Sequence, residues 1–129
     1  MKKLLILLLL PFSLNGFSQL TGPYQQQTLS YSLSLGDTGL ITNNFLGFSR
    51  LSFELVTTSL DAPTARIQIQ KTNNDKQYLD ISGATLLLGS GTNTNFIEIE
   101  NAKNARYKII IDVNTVTSGT IRIDIAATR

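Results

Sequence analysis

The chain of 129 residues contains 11 basic and 9 acidic residues, and it has no cysteine, no histidine and no tryptophan. This composition excludes a disulfide framework, a thiolate nucleophile and a cysteine-based metal centre. It also removes the commonest general base and the commonest zinc ligand. The length suits a single domain, and the sequence predicts no cofactor.

The first 18 residues have the pattern of a secretory signal peptide. Two lysines precede an apolar run over residues 4–10, and a short polar and small segment ends at Ser18, just before Gln19. A membrane-spanning helix needs about 20 apolar residues, and Pro11 interrupts this run early. The sequence therefore predicts export to the periplasm, cell surface or exterior, without stable membrane insertion after cleavage. The ending of this segment resembles signal peptides of the Bacteroidetes type.

The predicted mature chain, residues 19–129, is electrically neutral. Removal of Lys2 and Lys3 leaves nine basic residues against nine acidic ones. A nucleic-acid-binding protein needs a basic surface that displaces counterions from phosphates, so this balance argues against nucleic acid as a partner. Zero net charge also provides little electrostatic repulsion between copies, which favours a homo-oligomer.

Apolar residues alternate with polar ones along most of the mature chain, which is typical of β-strands with one buried face. Five such segments and three shorter runs predict strands, at residues 29–35, 50–55, 65–70, 107–113, 120–125, 77–81, 85–88 and 95–100. Breaks rich in Gly, Asn and Asp predict turns between them. We expect an all-β fold of about eight strands, a two-sheet antiparallel β-sandwich or jelly roll. Residues 24–27 are interpreted as an arm outside the sheets.

The last two strands are predicted to form a hairpin. Pairing Val113 with Gly119 places the isoleucines of both strands on one face. The same register puts Lys108 opposite Asp124, which is a favourable cross-strand pair. A two-residue slip would instead pair Asp112 with Arg122, so charge alone does not fix the register.

A second predicted hairpin, centred on Asn73, carries the candidate ligand-binding residues. Its register places Gln70 opposite Tyr78 and Gln68 opposite Asp80. Two amides, a carboxylate and a phenol on one flat surface suit sugar hydroxyls or another protein. The alternative interpretation is an ordinary solvated sheet face.

The tripeptide Asp37-Thr38-Gly39 matches the motif of the aspartic proteases, in which two close carboxylates activate a water molecule. The flanking residues, Gly36 and Leu40, depart from the pattern of that family. No later apolar-apolar-Gly-Arg segment completes its second signature. A tight turn after the first strand is therefore favoured over a protease site.

Two other acidic features are weighed as sites. Glu98 and Glu100 project from one face of a strand, as the two acids of a glycosidase would, but the chain lacks the expected aromatic cleft. Oxygen-rich loops at residues 73–75, Asp37 and Asp61 contain calcium-ligand types, without the spacing of an EF-hand or a repeat calcium site. The sequence therefore predicts no catalytic residue and no metal ligand.

The order of strands and turns in the second half of the chain is distinctive. It begins with a Gln-containing predicted strand at residues 64–71 and an Asn-Asp turn at 73–75. A Tyr-Leu-Asp-Ile segment at 78–81, an aromatic-basic-apolar strand at 105–111 and a Ser-Gly-Thr segment at 118–120 follow. This order resembles the small β-sandwich modules of bacteriophage and prophage virion proteins. The resemblance implies a non-enzymatic role in assembly or host attachment.

Two functions remain open at this point. The first is a non-enzymatic, exported structural or attachment module, a virion-like protein that acts through self-assembly or host-surface binding. Its partners would be further copies of the chain or other structural proteins. The alternative is a monomeric module of the periplasm or cell surface that binds a glycan or a protein partner.

Overall fold

The computed structural model describes residues 24–129, and β-strands account for most of them. The predicted signal peptide and its cleavage site lie outside the described residues. The strands are β1 (Tyr24–Ser32), β2 (Thr38–Ile41), β3 (Arg50–Leu60), β4 (Arg66–Thr72), β5 (Leu79–Leu87), β6 (Gly91–Glu100), β7 (Arg106–Asp112) and β8 (Thr120–Thr128). Within the described range, no helix has the length and hydrophobicity needed to cross a membrane.

The eight strands form two four-stranded antiparallel sheets. Sheet A has the order β1-β8-β3-β6, and sheet B has the order β2-β7-β4-β5. Most connections cross from one sheet to the other, and this strand order is that of a jelly roll. The predicted all-β, two-sheet antiparallel sandwich of about eight strands is confirmed.

The core lies between the sheets and consists of the apolar residues that alternate along the strands. Phe53 of β3 meets Tyr107 of β7 edge to face across the layers, with ring centroids 6.2 Å apart. The isoleucines of the central strands are buried as the alternation predicts, at positions 67, 69, 109, 111, 121, 123 and 125. Period-two alternation therefore assigns the buried face correctly in both sheets.

The predicted boundaries are wrong in four places. The strand predicted at 29–35 ends at Ser32, and Leu33–Leu35 form a turn of 3-10 helix. The proposed arm at residues 24–27 is the first part of β1, because these residues pair with β8 from Tyr24 onward. In the proposed turn at Asp37-Thr38-Gly39, the residues Thr38 and Gly39 already belong to β2, which pairs with β7. The two predicted runs at 77–81 and 85–88 belong to one strand, β5, in which Gly83 adopts a φ of +78° beside a break in register.

The predicted hairpin of the last two strands does not form. β7 lies in sheet B, whereas β8 lies in sheet A, so Lys108 and Asp124 are on different sheets. Lys108 is opposite Gln70, and Asp124 is opposite Glu54. The link between β7 and β8 crosses between the layers, as do most connections of this topology, and local charge pairing carries no information about that crossing.

The β4–β5 hairpin forms, but with a different register. Gln70 is opposite Asp80, and Gln68 is opposite Thr85. The register shift between these pairs places extra residues of β5 against β4, which is the behaviour of a β-bulge. Pairing by apolar alternation alone cannot detect a bulge, because a bulge changes the phase of the alternation partway along the strand.

Candidate functional site

The four predicted ligand-binding residues lie near one another at the outer face of sheet B. The Gln70 amide donates a hydrogen bond to the Asp80 carboxylate at 2.9 Å. The Gln68 amide accepts a hydrogen bond from Thr85, and the ammonium of Lys108 lies 5.5 Å from the ring centroid of Tyr78. The structure therefore places the predicted groups near one another, where Gln70 and Asp80 contact each other and Gln68 and Tyr78 contact neighbouring side chains.

A second polar face, on the outer side of sheet A, was not predicted from the sequence. One row of side chains across its four strands consists of Thr28, Asp124, Glu54 and Phe96. The adjacent row consists of Gln26, Ala126, Ser52 and Glu98. Residues of these rows and Tyr24 line a shallow groove of about 410 Å³, which we call the sheet A groove.

Exposed aromatic side chains flank the sheet A groove at the two edges of the sheet. Phe96 on β6 is 63% exposed, and Tyr24 on β1 is 48% exposed. Three strand spacings of about 4.8 Å separate the two edge strands, so the rings stand on opposite sides of a floor about 14 Å wide. A large aromatic side chain gains about 1.5–3 kcal/mol on full burial, and both rings have much of that area still available for contact with a ligand.

The floor of the groove contains two carboxylates on neighbouring strands. Asp124 accepts hydrogen bonds from the Thr28 hydroxyl at 2.7 Å and from the Arg122 guanidinium at 2.8 Å. The hydrogen bond from Thr28, together with Arg122, holds the pKa of Asp124 below its ordinary value. Asp124 is therefore ionised at neutral pH.

The second carboxylate, Glu54, is directly opposite Asp124 in the register of β3 and β8. Within residues 24–129, Glu54 has no hydrogen-bond or salt-bridge partner. Like charges directly opposite each other on paired strands are destabilising. The pair therefore destabilises the sheet locally. The oxygens of the Glu54 carboxylate are available to accept hydrogen bonds from a ligand.

The remaining acidic residues that the sequence singled out have structural contacts. Arg50 forms a salt bridge with Glu98 at 2.8 Å and is also opposite Glu100. Asp37 accepts a hydrogen bond from the backbone N–H of Val113 at 2.8 Å and so ties the end of β7 to the start of β2. These contacts give Glu98 and Asp37 a structural role in the sandwich.

The two other candidate calcium-binding segments, residues 73–75 and Asp61, form hydrogen bonds that connect neighbouring loops. The side-chain oxygen of Asn73 accepts hydrogen bonds from Asn104 and from the backbone of Ala105. Asp61 accepts hydrogen bonds from the hydroxyl and the backbone N–H of Thr117. Among the described residues, no three acidic, histidine or cysteine side chains are grouped closely enough to hold a metal ion.

The sequence did not predict the sheet A groove, because the residues that line it come from four strands that are distant along the chain. Tyr24 and Gln26 belong to the segment that was interpreted as an arm. One local signal was available: along β6, Phe96 alternates with Ile97 and therefore shares a face with Glu98. An aromatic residue on the charged side of a strand could have indicated a contact surface.

Comparison with known proteins identifies no family for this chain. No protein-family model matches the sequence, and no curated protein matches it. Three similar solved structures are β-rich proteins with low sequence identity. One is described as a Bacillus endospore appendage from a family of disulfide-linked pili (10% identity, TM-score 0.43, 81% of this chain and 86% of that chain).

The second structure is described as "CBM4 structure and function" (12% identity, TM-score 0.45), and the similarity covers 71% of this chain and 61% of that chain. The third is a cleaved adhesin domain of Lys-gingipain (9% identity, TM-score 0.47), with coverage of 83% and 90% respectively.

Proposed function

We propose that this chain is an exported, non-enzymatic binding module that holds a glycan chain in the sheet A groove. The observation that carries the proposal is the arrangement of exposed Phe96 and Tyr24 on either side of the Glu54 and Asp124 carboxylates. A sugar ring has an apolar C–H face, which packs on an aromatic ring, and hydroxyl groups, which donate to carboxylates. The groove supplies both kinds of partner.

The charges of the groove favour a neutral glycan over an anionic one. Arg122 compensates Asp124, and Arg50 compensates Glu98. Glu54 has no such partner among the described residues, so the floor carries a negative charge. A sulfated or phosphorylated glycan would be repelled, whereas a neutral oligosaccharide would donate its hydroxyls to this carboxylate.

The shape of the groove favours a chain-like ligand that contacts the protein along one side. The floor is the outer face of a four-stranded sheet, and no loop of the described residues lines it. An open face of this kind contacts one side of an extended oligosaccharide. It does not enclose a small molecule as a deep pocket does.

A glycan array followed by calorimetry on the full chain tests this proposal. We expect Phe96→Ala to weaken binding of the selected oligosaccharide by about tenfold or more, since tenfold corresponds to about 1.4 kcal/mol. Leu87→Ala is the matched control, because Leu87 is 64% exposed but lies on the edge strand β5 of the other sheet. The proposal fails if no glycan binds, or if the two variants bind equally well.

The isosteric variant Glu54→Gln tests the carboxylate separately from the aromatic platform. It removes a charge-assisted acceptor of hydroxyl protons while it also relieves the repulsion from Asp124. We therefore expect weaker glycan binding together with unchanged or higher stability against urea. A loss of both properties would mean that Glu54 serves the fold and not the ligand.

A structural role in an assembly is the second candidate, as the resemblance to virion modules implies. The observation that favours it is the outer edge of sheet A at β1, a nine-residue strand that contains no charged residue. In this case the assembled form, and not a glycan complex, would be the functional state. Electron microscopy of the purified chain would distinguish discrete particles or filaments from dispersed single modules.

A further inference from the structure

The four edge strands of the sandwich differ in how well they are protected against pairing with another chain. The edges are β1 and β6 in sheet A and β2 and β5 in sheet B. The outer backbone groups of an edge strand are unpaired and can template another strand. Folded proteins block such edges with short strands, charged residues, prolines or bulges.

Three of the four edges carry at least one of these blocking features. The strand β2 is only four residues long. The strand β5 has a break in register and contains Asp80 and Gly83. The strand β6 carries Glu98 and Glu100 and has a register shift where it meets the end of β3.

The fourth edge, β1, carries none of them. Its nine residues, Tyr-Gln-Gln-Gln-Thr-Leu-Ser-Tyr-Ser, include no charged residue, no proline and no glycine. The register with β8 is unbroken from Tyr24 to Ser32. The strand is therefore a regular, uncharged edge of above-average length, which is the kind of edge that pairs readily.

The hydrogen bonds of β1 identify which backbone groups face the open side. The Leu33 N–H donates to the Gly119 carbonyl at 3.0 Å, and this pair continues the β1–β8 register. Bonded and non-bonded pairs alternate in an antiparallel ladder, so the odd-numbered residues of β1 bond to β8. The backbone N–H and C=O groups of Gln26, Thr28 and Ser30 therefore point away from β8.

We propose that β1 pairs antiparallel with β1 of a second copy of this chain, so that two A sheets join into one eight-stranded sheet. The pairing is isologous, since the same strand contributes from both copies. A twofold axis at Thr28 gives the longest overlap and places Gln26 of one copy opposite Ser30 of the other. No charged side chain of β1 opposes another across this junction, so nothing in the strand repels its own copy.

This pairing would place two sheet A grooves on one continuous face. Tyr24, Gln26 and Thr28 belong to β1 and line the groove at the edge where the copies would meet. If the groove binds glycan, a surface that displays many glycans would engage both grooves, and avidity would exceed the affinity of one groove by orders of magnitude. The pairing itself does not depend on the glycan proposal.

The oligomeric state in solution tests the pairing directly. We expect light scattering on the full purified chain to give twice the mass that mass spectrometry measures for one chain. Ser30→Pro removes a backbone donor on the open side and leaves every hydrogen bond to β8 in place, so it should give a folded monomer. Thr94→Pro is the matched control, because Thr94 lies at the opposite edge of the same row and its backbone N–H also points away from the sheet; this variant should remain a dimer.

Cysteine cross-linking provides a second test that does not require proline to be tolerated. The chain has no cysteine, so a single introduced thiol can cross-link only to its copy. Thr28→Cys should form a covalent dimer under mild oxidation, because directly opposite residues have Cα atoms within disulfide range. Gln26→Cys and Ser30→Cys test whether the twofold axis lies at one of these two neighbouring outward-facing positions instead. Thr94→Cys is the control on β6.

The proposal is overturned by any of three results. The first is that the full chain is a monomer. The second is that a folded Ser30→Pro variant remains dimeric. The third is that none of the three β1 cysteines cross-links more than Thr94→Cys. The glycan proposal fails independently of these, since Phe96→Ala should leave the dimer intact. Conversely, Ser30→Pro should preserve affinity for a short oligosaccharide and lose at least tenfold avidity for a glycan-coated surface.

Discussion

The link between β7 and β8 can be tested at Gly119, where the chain passes close to the end of β3. Gly119 has a φ of +113°, a backbone conformation that L-residues rarely adopt. A Cβ atom at this position would lie 2.9 Å from the Leu60 Cδ1 atom, 3.0 Å from the Leu60 Cα atom and 3.0 Å from the Ser59 carbonyl oxygen. Two of these three atoms belong to the backbone and cannot move aside easily.

The expected cost of Gly119→Ala has two parts. The unfavourable φ costs about 1–3 kcal/mol. Overpacking against the backbone of β3 adds about 1–3 kcal/mol. We therefore expect the free energy of unfolding to fall by about 2–6 kcal/mol, which is a large part of the stability of a typical domain.

Gly47→Ala is the matched control for the backbone term. Gly47 has a φ of +92°, and a Cβ atom there would meet no other atom within 4 Å. Equilibrium unfolding in urea, followed by circular dichroism, measures both variants against the unmodified chain. If Gly119→Ala is no more destabilising than Gly47→Ala, Gly119 does not approach β3, and the crossing from sheet B to sheet A at this link is wrong.

Two further changes address stability and its dependence on pH. Tyr107→Phe should raise the melting temperature or leave it unchanged, because the buried Tyr107 hydroxyl has no hydrogen-bond partner among the described residues. Burial raises the pKa of this phenol, and the nearby Asn104 backbone only partly offsets that effect. Tyr31→Phe should instead lower the melting temperature, since the Tyr31 hydroxyl donates to the Gly36 carbonyl at 2.8 Å; equal effects of the two changes would contradict this reasoning. Hydrogen bonds from Thr117 lower the pKa of Asp61, so the stability that they supply is present above the ordinary Asp range and is lost as pH falls through the lowered pKa. Asp61→Ala should therefore be less stable at neutral pH and should lose less stability on acidification than the unmodified chain, as measured by urea unfolding at a series of pH values.

The candidate site shows where sequence reasoning reached its limit. Gln68, Gln70, Tyr78 and Asp80 were expected to form a polar surface because they are close along one hairpin, and they do lie near one another. Their proximity follows from the β4–β5 hairpin, which is local in the chain, but the bulge in β5 changes which residues are opposite each other. The sheet A groove combines Tyr24 with Phe96, and these residues become neighbours in one sheet only because β8 and β3 lie between their strands.

The amino-acid sequence alone determined the all-β class, most of the strands and the buried face of each central strand. These properties follow from the alternation of apolar and polar residues, which depends on neighbours two positions away. The tertiary structure decided which strands pair, where β5 bulges, and which exposed side chains share a face. Lys108 and Asp124 make the reason plain: their charges suit a hairpin, but burying the apolar faces of β7 and β8 against each other requires the two strands to lie in opposite sheets.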